Sequence, residues 1–404
     1  MTKKLNINEL AFSYVKFLIF SLLFFGTYFS KFNLVGPVYL YDLMLLIPIL
    51  FILWNIKINK NNDFGIVLVI FISISYLFYS LLNLSVGADI LLRQFMLFGY
   101  LLAAFVYVNY IRRIENFSSR IIQFLKYFGN VSAIIQCLYL FYVLLFVTRN
   151  IFEEGAYYYY SSITVLGLLI FAVDKLIYSK FFLLYSCLAF FLLSTTGHSS
   201  AFLAYFIVFV LYFLGKMNKL NKLIIFIVFF VIAALIVLKT SFFTDANAQW
   251  RLVYWGLTLK GIFVDRVGIF GMGFGVPYSD DEVAYILQVV NGFTAQQSDD
   301  LEKYLSPMHN SFITIAFHIG FAFSFFIIYP LLKILVSIIS GRFKSNLNFL
   351  FMSLTLVAFS VWSATNVILE LPHSSLLYWL LFLAFIYLYP EFSKINSQIL
   401  KKPI

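Results

Sequence analysis

The sequence predicts an all-α polytopic membrane protein: about twelve transmembrane helices, with one large polar loop late in the chain that contains short amphipathic helices. Three observations carry this prediction. The 404 residues are 62% hydrophobic and 21% aromatic but only 11% charged, a balance foreign to soluble globular domains. Apolar runs long enough to cross a bilayer, about twenty residues each, recur along the whole chain. Lysine and arginine collect in alternate connections between those runs, which is the pattern the positive-inside bias produces in short loops.

In order, the expected spans are 10–30, 38–56, 64–83, 90–110, 121–147, 158–173, 181–196, 199–215 and 222–239, followed by 310–339, 347–366 and 373–390. The chain therefore divides into a helical part over 1–239, a polar loop over 240–309, and three closing spans with a tail over 310–404. The segments between 158 and 215 are short and suit tilted or re-entrant helices. The first apolar run lacks a small-residue cleavage site and reads as the first span, not a signal peptide. Cys137 and Cys187 fall inside spans, which argues against a disulfide framework or a zinc site.

With the amino terminus inside, the inner connections hold Lys3 and Lys4, Lys57 and Lys60, and Arg112, Arg113 and Arg120. They continue with Lys175 and Lys180, then Lys216, Lys219 and Lys222, then Arg342 and Lys344, and finally Lys394, Lys401 and Lys402. The alternate connections are nearly bare of basic residues, apart from Lys31, Arg149 and those in the long loop. Both termini are then cytoplasmic and the long loop lies outside. The net charge of +10 follows from this topology. It is spread over thin connections and not gathered into one patch, so the expected partner is a lipid bilayer and no nucleic acid.

The loop is far longer than neighbouring helices need, and such loops are usually functional or disordered. Its aromatic content argues for order. It contains Arg251-x3-Trp255, Asp265-Arg266 and Gly271-x-Gly273-x-Gly275, and it closes on His309-Asn310 just before a span containing Gly320-Phe321. In order, spacing and common face, these elements resemble the O-antigen polymerase and ligase family, the Wzy-like bacterial membrane glycosyltransferases. The resemblance covers the layout of most of the chain, and its residues lie mainly between 194 and 325.

The resemblance implies a GT-C-like inverting glycosyltransferase of the bacterial inner membrane, with its site on the periplasmic face and no cofactor. Donor and acceptor would be undecaprenyl-pyrophosphate-linked oligosaccharides, and a chain-length regulator and a flippase would be protein partners. A polymerase joins repeat units of O-antigen or capsular polysaccharide; the alternative, a ligase, transfers the glycan to lipid A-core. In one place the sequence departs from the family. The family often carries Ser-Arg ahead of the large loop, whereas this chain reads Ser194-Thr195-Thr196-Gly197-His198. An imidazole at His198 binds a phosphate oxygen more weakly than a guanidinium, and only as a partial cation.

The chemistry can also be argued from the residues. A diphosphate leaving group calls for planar, permanently charged donors, and Arg251, Arg266 and Arg93 lie on the loop face. Arg93 sits inside a span, where a charge is a functional candidate by default, although Asp89 four residues earlier offers a helical ion pair. His309 is the expected general base, with Asn310 orienting it or holding a sugar hydroxyl; the alternative for His309 is an interfacial residue that caps a helix. Glu370, near His373, is a second candidate base or an exposed acid.

The expected site is thus His309 and Arg251 as catalytic residues, with Arg93, Arg266, Asn310, His198 and Glu370 binding substrate. Asp280-Asp281-Glu282 and Asp299-Asp300 offer oxygen ligands but read as solvated faces, so the expected mechanism uses no metal. Trp250, Tyr254, Trp255 and the run Tyr157–Tyr160 read as interfacial anchors, and His318 as a core residue bonded to a neighbouring helix. The three glycines read as a sharp turn. A transporter, such as a flippase for the same lipid-linked sugar, is the competing class; the first half of the chain shows no echo of the long loop, as related halves would.

Overall fold

A computed structural model describes residues 6–30, 32–35, 38–52, 56–58, 60–83, 86–147, 162–217, 246–265, 268–289, 302–343 and 345–399. The first half is built from α1 (Ile7–Ser30), a short antiparallel hairpin of β1 (Asn33–Val35) and β2 (Val38–Tyr39), and α2 (Leu40–Ile52). It continues with α3 (Lys60–Leu82), α4 (Ala88–Ile111), α5 (Phe117–Phe146), α6 (Ser162–Tyr178), α7 (Phe182–Ser194) and α8 (Ser199–Lys216). The polar region supplies α9 (Ala246–Lys260), running into a π-helical turn (Gly261–Asp265), then α10 (Asp281–Val289) and α11 (Glu302–Leu305). The chain closes with α12 (Ser311–Ile339), α13 (Leu347–Ser363) and α14 (Ser375–Ile399).

The expected spans are largely helical where they fall on described residues, but the span expected at 38–56 opens on β2 (Val38–Tyr39), and its helix begins only at Leu40. The span expected at 222–239 lies outside the described residues, as do Arg266, Tyr157–Tyr160, Asp299 and Asp300. Among the described residues, five helices are long and apolar enough to cross a membrane: Ile7–Gly26, Asp63–Leu82, Ala88–Ile111, Phe117–Phe146 and Ser311–Ile339. Shorter apolar helices stand beside them, among them Leu347–Ser363 and Ser375–Pro390. Large apolar side chains such as Phe24, Phe71, Phe78, Phe141 and Phe325 are exposed on outward faces. In water such a surface would drive association; in hydrocarbon it is solvated.

The hub is α4, which packs against α1, α2, α3 and α14. Its sequence is apolar on all sides, as a helix enclosed by others requires, and nearly every residue from Gln94 to Ile111 is buried. On the other side of the bundle α12 packs against α3, α8 and α13.

The feature that shapes the site is a backbone insertion. Gly320 interrupts α12 with φ 75°, ψ 169°, so carbonyls and amides on either side of it lose their helical partners. The glycine-rich segment supplies them. Met272 and Gly273 N–H donate to the carbonyls of Phe317 and His318 at 2.7 and 2.9 Å, while Phe321 and Ala322 N–H donate to Gly268 and Ile269 at 3.2 and 3.3 Å. Irregular backbone at membrane depth survives only where protein satisfies it in this way. The chains approach so closely that a Cβ on Gly271 (φ +80°) would lie 2.4 Å from Gly320 N.

Side chains of α3 and α4 fasten the same segment. Tyr76 and Ser80 hydroxyls donate to the carbonyls of Phe270 and Phe274 at 2.6 and 2.8 Å. Gln94 accepts from Gly275 N–H at 2.8 Å and donates to the carbonyls of Val276 and Tyr304. The glycines therefore do more than turn the chain: they let it enter the bundle.

Candidate active site at the loop end of the bundle

The starts of α4, α8, α12 and α14 and the ends of α3, α7 and α13 meet at one end of the bundle, under α9–α11. A cavity of about 230 Å³ opens there, lined by Arg93 and Gln94 from α4, Trp250 from α9, Tyr278, the stretch Tyr304–Pro307, His309 and Glu370.

His309 is held from three sides. Its backbone is left-handed, φ 52°, uncommon for a residue other than glycine, and its N–H donates to Pro307 carbonyl at 2.8 Å. The buried Met308 beside it accepts from Trp255 Nε1 at 2.6 Å, and Tyr254 OH donates to Ser306 carbonyl at 3.0 Å. Tyr254 and Trp255 thus bolt α9 to the His309 turn, and Tyr254, fully buried, is not an interfacial anchor. The imidazole stands edge-on to Trp250 with ring centroids 5.0 Å apart, and Nδ1 is buried without a partner. Burial, with the nearby Arg251 charge adding to it, pushes its pKa down to about 4.

Glu370, in the connection between α13 and α14, is buried, not an exposed loop acid. Its Oε2 accepts from Ser311 Oγ at 2.5 Å, while Oε1 is buried and unpartnered. Ser311 Oγ in turn accepts from Ile368 and Leu369 N–H at 3.0 and 3.1 Å, and its single proton has two acceptors, the carboxylate at 2.5 Å and the more distant Asn366 carbonyl at 3.1 Å. Burial raises the carboxyl pKa to about 6, against the hydrogen bonds from Ser311 and Thr314.

Arg93 stands opposite. Its Nη2 donates to Glu370 carbonyl at 3.0 Å and its guanidinium lies over the Tyr39 ring. The acid facing it is Asp42 of α2 at 3.9 Å, in place of the expected Asp89, and Tyr100 OH bridges the pair by donating to Asp42 at 2.6 Å. Arg93 is thereby aimed across the bundle at Glu370 and the cavity, while Nη1 donates to Tyr100 OH on its own helix at 3.4 Å.

The other expected residues fall around this core. Arg251 does not line the cavity. It lies behind Trp250, with Nη1 donating to Thr365 carbonyl at 3.3 Å, and its charge disfavours protonation of both His309 and His198. His198 precedes α8 with its ring edge-on to Trp362, and burial, then Arg251, lowers its pKa. Asn310 is the N-cap of α12: its Oδ1 accepts from Phe312 and Ile313 N–H at 3.1 Å, satisfying amides that every helix start leaves open. Its amino group is not used by the cap. Asp280 Oδ1 caps α10 through Val283 N–H at 2.8 Å, and Asp281 pairs with Lys303.

His318 is a core residue, but its partners are in the inserted segment and not on a neighbouring helix. Nδ1 lies 2.7 Å from Gly273 carbonyl and Nε2 lies 3.0 Å from Tyr278 OH. A carbonyl can only accept, so Nδ1 carries the proton and Nε2 accepts from the tyrosine. Sequence reasoning did not single out Tyr278, Gln94, Ser311 or Asp42. Gln94 and Asp42 carried a signal, a polar group inside an apolar run; Ser311 and Tyr278 carried none.

Chemically, the cavity offers a fixed guanidinium, a neutral imidazole and a carboxylate of raised basicity within one enclosed volume, with a second guanidinium behind. No protein-family model matches this chain, and no curated protein matches it.

Proposed function

We propose that this protein is a polysaccharide polymerase of twelve spans, with both termini cytoplasmic and the cavity periplasmic. It joins undecaprenyl-pyrophosphate-linked repeat units of an O-antigen or capsular glycan. The observation that carries the reading is the convergence of Arg93, His309 and Glu370 on one cavity at the loop–bundle boundary, where a lipid diphosphate meets its sugar.

In the reaction the anomeric carbon exchanges its bond to the diphosphate oxygen for one to the acceptor hydroxyl oxygen, with inversion. The hydroxyl proton passes to a base and the electron pair leaves with undecaprenyl pyrophosphate. Arg93 stabilises the charge growing on the diphosphate, and Arg251 adds its positive field from behind Trp250, outside the cavity lining; fixed cations in a partly dry site act strongly there. Both His309 and Glu370 are able to accept the proton at neutral pH. A base works best when its pKa lies near the working pH, so Glu370 is the stronger base, and His309 orients the acceptor hydroxyl through Nδ1. His198 and Asn310 contribute at the margin of the site.

The test is a polysaccharide gel from a deletion strain complemented with wild type, Arg251→Ala or His309→Ala. The expected result is loss of the polymer ladder with a single repeat still attached to core. Lipid-linked polymer accumulating unattached would assign a ligase instead. Normal ladders from both variants would remove these residues from the chemistry and favour the transporter.

A further inference from the structure

At the end of the bundle opposite the cavity, α1 and α5 leave an outward-facing groove of about 640 Å³. Its walls are aromatic, formed by Phe17, Phe20, Phe124 and Tyr127, and its mouth holds Lys16 and Arg120. Phe17 and Tyr127 are 55% and 63% exposed, so the walls face whatever surrounds the bundle.

The cations are arranged unusually. Lys16 lies nine residues into α1, about 13 Å from its start at 1.5 Å per residue, a depth at which a charge in a span is normally paired. Among the described residues no carboxylate lies within 4.0 Å of it. Its chain instead turns back toward the helix start, with Nζ 4.7 Å from the Phe12 ring centroid. Arg120 approaches the same ring at 5.3 Å. The acid at hand, Glu9, is held by Arg120 through both oxygens, Nη2 to Oε2 at 2.8 Å. Two cations thus converge on one ring while the one acid nearby is paired with Arg120, leaving a net positive pocket against an apolar wall.

We propose that this groove binds one anionic phospholipid, its phosphate between Lys16 and Arg120 and an acyl chain along Phe17, Phe20, Phe124 and Tyr127. Basic pockets between helices near the membrane surface suit such headgroups. The aromatic wall selects a lipid over a soluble phosphate, which gains nothing from it.

The test is native mass spectrometry of the full-length protein, released from micelles doped with phosphatidylglycerol or phosphatidylcholine. Lys16→Gln leaves the Glu9–Arg120 pair intact, and Lys333→Gln serves as the control, since Lys333 also lies over an aromatic ring, that of Tyr389. The expected result is one tightly held phosphatidylglycerol, no equivalent phosphatidylcholine, and affinity about fivefold weaker in Lys16→Gln, the loss of one cation near a charged headgroup. Lys333→Gln and Lys16→Arg should bind as wild type. Equal retention of both lipids, unchanged affinity in Lys16→Gln, or displacement by millimolar glycerol phosphate would each overturn the proposal.

Discussion

Glu370 is the residue at which stability and chemistry pull apart. Its carboxyl is buried with one oxygen unpartnered, and burial lifts its pKa to about 6 from an ordinary 4.5. That difference costs the folded state on the order of 2 kcal/mol, at about 1.4 kcal/mol per unit. The sign follows from proton uptake. Between about 4.5 and 6 the folded state binds more protons than the unfolded one, so stability from this group falls as pH rises through that window. Glu370→Gln keeps an acceptor for Ser311 and removes the charge. Its thermal midpoint should match wild type near pH 4 and exceed it above pH 6, while polymer formation falls at least a hundredfold, the scale of a lost general base. In the wild type, activity should rise with pH through an inflection near 6. Midpoints taken across pH, together with a polymer assay, test both halves. An active Glu370→Gln would return the role of base to His309.

Among elements, the inserted glycine segment and the broken α12 form one unit, because each satisfies the backbone that the other leaves open. A Cβ on Gly271 would meet Gly320 N at 2.4 Å, and one on Gly320 would meet Ile269 O at 2.2 Å, both at positive φ. Neither contact can relax by moving a side chain, since the atoms struck are backbone. Gly271→Ala and Gly320→Ala should therefore lose most of the monodisperse protein seen by size-exclusion chromatography. Gly256→Ala, on α9 with nothing within 4 Å of a new Cβ, should retain it and gain up to about 1 kcal/mol of helix propensity. The contrast shows what the sequence could reveal. Apolar runs disclose helices because hydropathy is local, and Asn310 before such a run is a legible cap. The pairing of 268–273 with 317–322 joins strands of backbone far apart in the chain and leaves no periodicity to read. For the same reason Asp89 looked like the partner of Arg93: helical spacing is visible in sequence, whereas the approach of Asp42 from α2 is a product of packing. Arg93, His309 and Glu370 were found as chemical types; that they share a cavity without Arg251 depended on where α9 settles.

At the scale of the whole molecule, the two ends of the bundle differ in charge, and this difference is the argument for the orientation the proposed reaction needs. Short connections at the cavity end, 83–87, 195–198 and 364–374, contain no lysine or arginine, and the connections between α1 and α2 and between α5 and α6 contain one each, Lys31 and Arg149. At the opposite end the connections and adjoining turns carry Lys57, Arg112, Arg113, Arg120, Lys180 and Arg342. Because short basic loops stay cytoplasmic, the cavity should face the periplasm, where lipid-linked repeats would be joined. Glu282 on α10 and Glu115 between α4 and α5 are both exposed and mark the two ends. The native Cys137 and Cys187 are unpaired and exposed, so the background replaces both with serine. In cells with a permeabilised outer membrane, Glu282→Cys should react with a membrane-impermeant maleimide, and Glu115→Cys only after lysis. The reverse pattern would put the cavity on the cytoplasmic side. A glycan joined there would still have to cross the membrane, so the polymerase proposal would fall even if every residue of the site proved essential.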